Sequence, residues 1–411
     1  MKALGDKFVC THCFKSPGIK EFIESMSSHT KCSYCGRVSD GEIAAHINDV
    51  TIFIYDSLMT EYELAINCLG YESAEGGYQG PTTDFDDVLR YSGELEVNNE
   101  ELIQDILEAM PDEPVVGKDF FYDEAGELRY TWERFSEQVM HRQRYVFFKV
   151  KTVDKGKRFV QREPEPYEIL VSLGAMTREL GLIRILEPGT QVFRAREHPA
   201  GRRFRSVADL GVPPPEKASQ SRMSPAGIPV FYGALDDTTA QVEVESDDPT
   251  RACVTIGRFL TLKPLRVLDL GKWISIPSIF EERRRHERAP RKFLNEFIED
   301  ISEPIEKDGR IHVEYVPTQI VAEYFRHIFV DKDGKGLDGI LYPSAHNQEG
   351  VCCVLFLGQN DRVADEDSGG SLQLMSHSTH KKEARRKGIK GGGREPKRAT
   401  RSPSERAKGS G

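Results

Sequence analysis

Four cysteines near the N-terminus restrict the folding of this chain more than any other feature. Cys10 and Cys13 form one Cys-x2-Cys pair, Cys32 and Cys35 form another, and eighteen residues separate the two pairs. Four thiolates at this spacing can surround one tetrahedral Zn2+ and leave no open position for chemistry. We therefore predict a zinc ribbon over residues 1–40 with a structural Zn2+.

The other four cysteines do not show metal-binding spacing. Cys352 and Cys353 lie in an apolar run typical of a buried strand, whereas Cys68 and Cys253 are isolated. Core packing is the role expected for them. Near the ribbon, His12 and His29 could compete as ligands, although the cysteine quartet is sufficient by itself.

The composition describes a globular protein. The 411 residues exceed what one hydrophobic core usually supports, so we expect two or three folded units. Hydrophobic residues at 38% and charged residues at 30% are typical of soluble proteins, and no apolar run is long enough to cross a bilayer. The first eight residues show no signal-peptide core. We expect a cytoplasmic protein without membrane contact.

Charge is distributed unevenly along the chain. The net charge is −10, yet residues 381–411 contain twelve lysines and arginines against three glutamates. The acidic remainder is a poor general surface for nucleic acid. Residues 361–411 are predicted to be a disordered basic tail, which leaves nucleic-acid contact open through the tail or the ribbon.

The middle of the chain, residues 41–185, is predicted to be a helical domain. Apolar residues recur at helical spacing in Glu61–Cys68, Asn99–Met110 and residues 130–145. In the last segment, Arg134 and His141 resemble the arginine–histidine signature of HEPN ribonucleases. Phe135 replaces the polar residue usually found after that arginine, so an exposed polar helix face is the simpler interpretation.

The second half of the chain, residues 186–360, has an α+β pattern. Short β-rich runs alternate here with helical stretches. The strands are predicted at 191–196, 230–233, 252–260, 265–270, 339–342 and 351–357, and the helices at 238–245, 289–301 and 318–329. Polar side chains stand at the ends and edges of these strands, where packing alone does not require them. They are Arg194, Arg196, Arg222, Tyr232, Glu243 and Ser344.

These residues and their surroundings resemble the RES domain family. The resemblance spans residues 190–357 and includes FRAR, RMSPAGIPVFYGA, TTAQVE, PTQIVAEYFR and DGILYPS. The segment upstream of it looks like the HEPN/RES N-terminal domain of one RES subfamily. Many RES proteins have Gly-Gly-Arg-Trp-Asn around the middle arginine, whereas Met223 and Ser224 follow Arg222 here.

The resemblance implies a fold similar to ADP-ribosyltransferases and an enzyme that degrades NAD+ as a phosphorylase or glycohydrolase. It further implies a toxin restrained by an antitoxin or immunity protein. Guanidinium groups grip a pyrophosphate through paired hydrogen bonds, and a carboxylate stabilises an oxocarbenium-like ribose. The catalytic candidates are Arg222, Tyr232, Glu243 and Ser344, and the substrate-binding candidates are Arg194, Arg196 and Tyr232.

Several alternatives stay open from the sequence. An arginine and a glutamate in one domain can form a plain ion pair, and Ser344 after a proline can serve a turn. The chain could be a non-catalytic regulator that binds NAD or nucleic acid, or an ADP-ribosyltransferase. Spacing does not decide between phosphate, water and protein as the acceptor, nor whether a homo-oligomer forms or an antitoxin exists.

Overall fold

A computed structural model describes residues 2–74, 76–91, 95–121, 124–145, 165, 167–246, 248–303, 311–357, 363–364 and 370–382. Its described part is an α+β structure, as the sequence predicts. Most of the basic tail predicted for residues 361–411 lies outside the described residues. No helix in these ranges is both long and apolar enough to cross a membrane.

The N-terminal part consists of short strands and helices around the cysteine quartet. In chain order they are β1 (Phe8–Cys10), α1 (Pro17–Met26), β2 (Ala44–His46), α2 (Ile47–Leu58), β3 (Tyr62–Leu64), α3 (Ala65–Cys68), β4 (Tyr71–Glu72), β5 (Gly77–Tyr78), α4 (Phe85–Tyr91), α5 (Glu100–Ala109) and β6 (Val115–Gly117). α5 is the amphipathic helix predicted at Asn99–Met110, and Asn99 caps it by accepting from the Leu102 amide.

The helix predicted at Glu61–Cys68 is wrong in its first half. Tyr62–Leu64 form β3, which pairs antiparallel with β6, and only Ala65–Cys68 are helical. The apolar spacing at this position fits either structure, and pairing with a strand some fifty residues away decides between them.

One hydrophobic core joins the ribbon to the helices that follow it. Buried residues of this core come from the cysteine segment, from α1 and α2, and from α4 and α5. Ile279 and Phe280, far along the chain, complete it. The ribbon and the first helices therefore share one core across the predicted boundary at residue 40.

Two further helices precede the second half and pack against it. They are α6 (Glu124–Glu137), extended by a π-helical turn at Gln138–Arg142, and α7 (Glu168–Glu179). Their buried residues, including Trp132 and Leu173, belong to the same core as those of the second half. Trp132 donates its indole N–H to Asp300, which fixes α6 against the helix that carries this carboxylate.

The second half is built on a nine-stranded mixed sheet of described residues. Its strands are β7 (Ile183–Leu186), β8 (Gln191–His198), β9 (Phe231–Ala234), β10 (Cys253–Thr261), β11 (Leu265–Asp269), β12 (Gly339–Pro343), β13 (Val351–Leu355), β14 (Val363–Ala364) and β15 (Leu372–Lys381). The spatial order is β14-β15-β10-β8-β9-β13-β12-β11-β7. The helices of this half are α8 (Val207–Leu210), α9 (Asp237–Val242), α10 (Arg288–Ser302), α11 (Ile311–Glu314) and α12 (Val316–His327).

Each face of this sheet packs into its own apolar cluster. α10 and α12, together with α6 and α7, pack on the face that carries Ile340, Cys352 and Val354. Cys353 and Leu355 lie in the cluster on the opposite face. Both adjacent cysteines are thus core residues, as the apolar run predicts.

Leu372–Lys381 corrects the predicted start of the tail. We predicted disorder from residue 361, but β15 pairs antiparallel with β10 from Cys253↔Lys381 to Thr261↔Leu372. A run of mixed polar residues such as LQLMSHSTHK shows little strand periodicity by itself, and its β structure depends on the partner strand.

Candidate functional site

A cavity of about 630 Å3 opens in the sheet between β8 and β9. This volume is within the range usual for small-molecule sites. The cavity is lined by Arg194, Ala195, Arg196, Glu197, His198, Pro199, Arg202, Phe204, Tyr232, Gly233, Ala240, Glu243, Val244, Thr250, Arg251, Tyr342 and Cys352. Four of the six residues predicted for the site are therefore brought together, namely Arg194, Arg196, Tyr232 and Glu243.

The cavity exists because two neighbouring strands diverge. Among the described residues, β8 and β9 pair only at Phe193 and Ala234, after which β8 continues along β10. Gly233 permits the close approach, since a Cβ there would lie 2.7 Å from the Phe193 carbonyl oxygen. We call the end near this pair the closed end and the end near His198 the open end.

Arg194 enters the cavity near the closed end. Its guanidinium lies 5.1 Å from the centre of the Phe231 ring, and its buried Nη1 has no hydrogen-bond partner in the described structure. Burial lowers the pKa of Arg194 to about 9, and repulsion from Arg196 acts in the same direction. A buried cation without a counter-ion is unfavourable, and a bound anion would relieve this cost.

Arg196 adds a second guanidinium two residues along the same strand. Its Nη2 donates to the Gly211 carbonyl at 3.2 Å. Burial lowers the pKa of Arg196, and the charge of Asp209 opposes that shift. The alternation of a strand places residues 194 and 196 on the same side, so the two cations face one region of the cleft.

Glu243 supplies the carboxylate of the site. It follows α9, which begins at the N-cap Asp236, and its side chain reaches the Ser344 hydroxyl at 2.5 Å. Burial is the main cause of the raised pKa of the neighbouring Cys352 thiol, and the charge of Glu243 adds to it. Cys352 pairs with Ala234, so Glu243 lies at the closed end of the cavity.

Ser344 lies behind Glu243 and does not line the cavity. Its Oγ donates to the carboxylate and accepts from the His346 and Asn347 amides at 3.2 and 3.0 Å. Asn347 in turn donates to Thr239 on α9. The hydroxyl is therefore engaged on all sides and fixes the orientation of Glu243.

Tyr232 forms a wall of the cavity. Its hydroxyl accepts from the Ser221 hydroxyl at 2.8 Å and from the Met223 amide at 2.9 Å. Burial raises the pKa of Tyr232, so the phenol stays neutral. The loop 221–224 thus holds the ring in one orientation.

α12 fixes this loop from the other side. Gln319 donates to the carbonyls of Ser221 and Ser224 at 2.8 and 3.3 Å, and the Thr318 hydroxyl donates to the Arg222 carbonyl at 2.6 Å. The Pro-Thr-Gln start of α12 is therefore part of the support of the cavity wall.

Arg222 is on this loop, but its side chain is not among the cavity-lining groups. The guanidinium donates to the Glu303 carbonyl at 2.6 Å and lies 5.5 Å from the centre of the Tyr315 ring. The structure therefore separates Arg222 from Arg194, although the sequence predicted both for one site.

The open end contains residues that sequence reasoning missed. His198 is buried and contacts the Thr255 hydroxyl at 2.8 Å and the Pro199 carbonyl at 3.0 Å. Arg202 lies 5.0 Å from the centre of the Phe204 ring, and Arg251 borders the mouth. The even spacing of 194, 196 and 198 on one strand was the available signal for His198.

Glu197 also borders the cavity but is engaged elsewhere. Burial opposes its ionisation, yet hydrogen bonds from Lys382 and Ser246 outweigh burial and lower the pKa of Glu197. Lys382 contacts it at 2.5 Å. This carboxylate anchors the end of β15 and is committed to that ion pair.

Arg134 and His141 do not form a comparable site. Arg134 lies on α6 over the Tyr130 ring, and His141 is exposed in the π-helical turn. Neither residue lines the cavity described above.

The cysteine quartet has a geometry that fits a metal ion such as zinc. The four sulfur atoms lie within 4.8 Å of one another, with Cys10–Cys35 at 3.5 Å and Cys13–Cys32 at 3.6 Å. A tetrahedral Zn–S bond of about 2.3 Å sets neighbouring sulfurs roughly 3.8 Å apart. Burial raises the pKa of the Cys10 thiol to about 11, so a bound dication would be needed to stabilise the thiolates.

Two family models match the chain. HEPN/RES N-terminal domain 1 matches residues 25–153, and RES domain matches residues 191–374. Both matches confirm the resemblance seen in the sequence, and the second ends within β15. No curated protein and no solved structure matches the chain.

Proposed function

We propose that this chain, a RES-domain protein with a HEPN/RES N-terminal domain, cleaves the bond between nicotinamide and ribose in NAD+. The observation that carries the proposal is one cleft with a carboxylate at its closed end and an unpartnered buried guanidinium beside it. Glu243 and Arg194 are these two groups. The RES family is toxin-like and related to NAD, which agrees with this ligand.

Arg194 and Arg196 are assigned to the pyrophosphate. A guanidinium offers paired donors that match two phosphate oxygens, and the buried Nη1 of Arg194 gains the partner it lacks. Binding the dianion also offsets the burial of Arg194 and its repulsion from Arg196, the two causes that lower the pKa of Arg194.

Glu243 is assigned to the scissile bond. As neutral nicotinamide departs, positive charge develops on the ribose, and a fixed carboxylate stabilises this state more than the ground state. Ser344 donates to one carboxylate oxygen and so fixes the direction of the carboxylate in the cleft. Ser344 is thus a positioning residue in this proposal, and direct contact with substrate falls to Glu243.

The aromatic rings at the closed end are assigned to the nicotinamide side. Tyr232 and Tyr342 line the cleft beside Glu243, and burial raises the pKa of both phenols. Neutral rings fixed by their surroundings can pack against the planar base and exclude water from its face. Departure of the base then occurs from an oriented complex.

The ribosyl acceptor is proposed to be phosphate or water, as in a phosphorylase or a glycohydrolase. The carboxylate role of Glu243 is the same in both reactions, because both pass through a positively charged ribose. A toxin activity restrained by an antitoxin follows the family and is likewise part of the proposal. The four cysteines would hold a structural Zn2+ that cross-links the N-terminal core and takes no part in cleavage.

The test is nicotinamide release from NAD+ by the purified protein, with and without inorganic phosphate. We expect release in at least one condition, and mass spectrometry will distinguish ADP-ribose from its 1-phosphate. Glu243→Ala is expected to lower release by about 10²–10³-fold. Glu349→Ala, an exposed carboxylate on the loop after Ser344, serves as the control. Absence of release in every condition would contradict the proposal.

A further inference from the structure

The open end of the cleft carries more positive charge than the pyrophosphate of a dinucleotide requires. Arg202, Arg203 and Arg205 are exposed within four residues, and Arg202 and Arg251 both line the cavity. Among the described residues, the first three form no ion pair with a carboxylate. This additional positive charge is separate from that of Arg194 and Arg196.

The register of the strands gives the distance between the two groups of arginines. The closed end is the pair Phe193–Ala234, and at the open end His198 pairs with Cys253, two residues after Arg251. Four residues of extended chain separate Arg194 from His198, or about 14 Å. The mouth arginines are thus one strand length away from the group that grips the pyrophosphate.

The proposed function fixes the direction of a bound dinucleotide. With the nicotinamide ribose at Glu243 and the pyrophosphate at Arg194 and Arg196, the adenosine extends toward the open end. There the buried Phe204 ring lies beneath the Arg202 guanidinium. An adenosine at this position brings its ribose hydroxyls to the arginines of the mouth.

Arg251 can contribute to such a contact although it has acidic neighbours. Its guanidinium lies 3.4 Å from Asp248 and 4.0 Å from Glu197, and its side chain is 57% exposed. The exposed pair with Asp248 contributes little, and Glu197 is already held by Lys382. A phosphate that binds two guanidinium groups is a stronger partner.

We propose that the mouth binds a phosphate carried on the adenosine ribose, so that the preferred substrate is a phosphorylated form of the dinucleotide. This inference rests on the proposed function. The phosphate can be the 2′-monoester of NADP+ or the 3′-phosphodiester of an RNA whose first nucleotide is NAD. The chemistry that recognises both is the same, namely paired guanidinium groups beside an adenosine site.

The experiment compares nicotinamide release from NAD+, NADP+ and a short RNA with a 5′-terminal NAD. We expect kcat/KM for NADP+ or the RNA to exceed that for NAD+ by about tenfold or more. Arg202→Ala and Arg251→Ala are expected to remove this advantage, so that kcat/KM falls more for the phosphorylated substrates than for NAD+. Arg283→Ala, an arginine whose side chain is 88% exposed near the N-terminal part, is the matched control.

A preference for the RNA over NADP+ would assign the mouth to a nucleic-acid chain, and the reverse preference would assign it to the monoester. Equal kcat/KM values for all three substrates would overturn the inference and leave the proposed function intact. If none of the three is cleaved, titration calorimetry measures the affinities of the Glu243→Gln protein for NAD+ and NADP+. Equal affinities overturn the inference, and tighter binding of NADP+ that Arg202→Ala abolishes supports it.

Discussion

The guanidinium of Arg194 lies in the sheet without a counter-ion, next to a ring and a second arginine. Such a group destabilises the folded state, because burial disfavours a charge that nothing pairs with. Functional sites commonly retain interactions of this kind at the expense of stability. Arg194 is therefore expected to oppose folding and to favour ligand binding.

Replacing Arg194 by leucine separates these two effects. The apolar side chain fits beside Phe231 and removes the unpaired charge, so the urea midpoint of unfolding should be equal to or higher than that of the wild type. NAD+ should no longer raise this midpoint. A clearly lower midpoint, or unchanged stabilisation by NAD+, would show that Arg194 is a structural residue.

Ser344 offers a second prediction for a single residue. Ser344→Ala removes the donor that fixes Glu243, so kcat should fall about tenfold, a change of about 1.4 kcal/mol in the barrier, with little change in KM. Steady-state kinetics measures both constants. A rise in KM at constant kcat would instead indicate that Ser344 contacts substrate directly.

The candidate residues were predictable from sequence to an unequal extent. Arg194, Arg196 and Tyr232 stand on strands, whose alternation and pairing fix the side of the sheet that each side chain faces. Arg222 and Ser344 stand on loops, where contacts with Glu303 and with Asn347 decide the direction of the side chain. No local pattern in the sequence encodes those contacts.

Whole elements support the cleft as well. α12 holds the loop 221–224 through Gln319, whose buried side chain donates to the Ser221 and Ser224 carbonyls. This loop in turn fixes the Tyr232 hydroxyl. The position of an aromatic wall therefore depends on a helix that does not itself line the cavity.

Gln319→Met tests this support. The substitution removes two side-chain hydrogen bonds, while the Ser221 and Ser224 carbonyls still accept from each other's backbone amides, so it should cost about 1 kcal/mol of unfolding free energy. The KM for NAD+ should rise because Tyr232 loses its fixed orientation. Gln104→Met on the exposed face of α5 is the matched control and should change neither quantity. An unchanged KM in Gln319→Met would show that α12 does not position the cavity wall.

The sequence predicted most strands and helices of the second half, including β8 to β13, α9, α10 and α12. The elements it missed depend on distant partners. β15 is a strand because β10 pairs with its whole length, and β3 is a strand because β6 pairs with it. Local propensity alone carries no information about either partner.

Across the whole molecule, the N-terminal part and the RES domain are joined by a partly buried charged contact. Glu61 after α2 accepts from Arg288 at 2.5 Å and from Lys292 at 2.7 Å, both on α10. Burial opposes ionisation of Glu61, but the two cations outweigh it and lower the pKa of this carboxyl. At pH values above the ordinary glutamate pKa, this contact contributes its full stability to the fold. That stability is lost as the pH falls through the lowered pKa of Glu61.

The cysteine quartet belongs to the same unit, since the core around the cysteines includes Ile279 and Phe280 from the RES half. Cys13→Ser is therefore expected to lose the bound zinc and to lower the thermal midpoint of the full chain. Cys68→Ser, outside the quartet, should retain both. Mass spectrometry of the intact protein and calorimetry measure the two quantities. Full zinc retention after replacing all four cysteines would refute the assignment.

We propose that Glu243 acts on the scissile bond inside a cleft whose arginines bind NAD+. The most direct test measures NAD+ affinity and nicotinamide release on the same Glu243→Gln protein. If this proposal holds, release falls by about 10²–10³-fold while affinity stays within about threefold of the wild type. Release at the wild-type rate, or a loss of affinity as large as the loss of release, would contradict it.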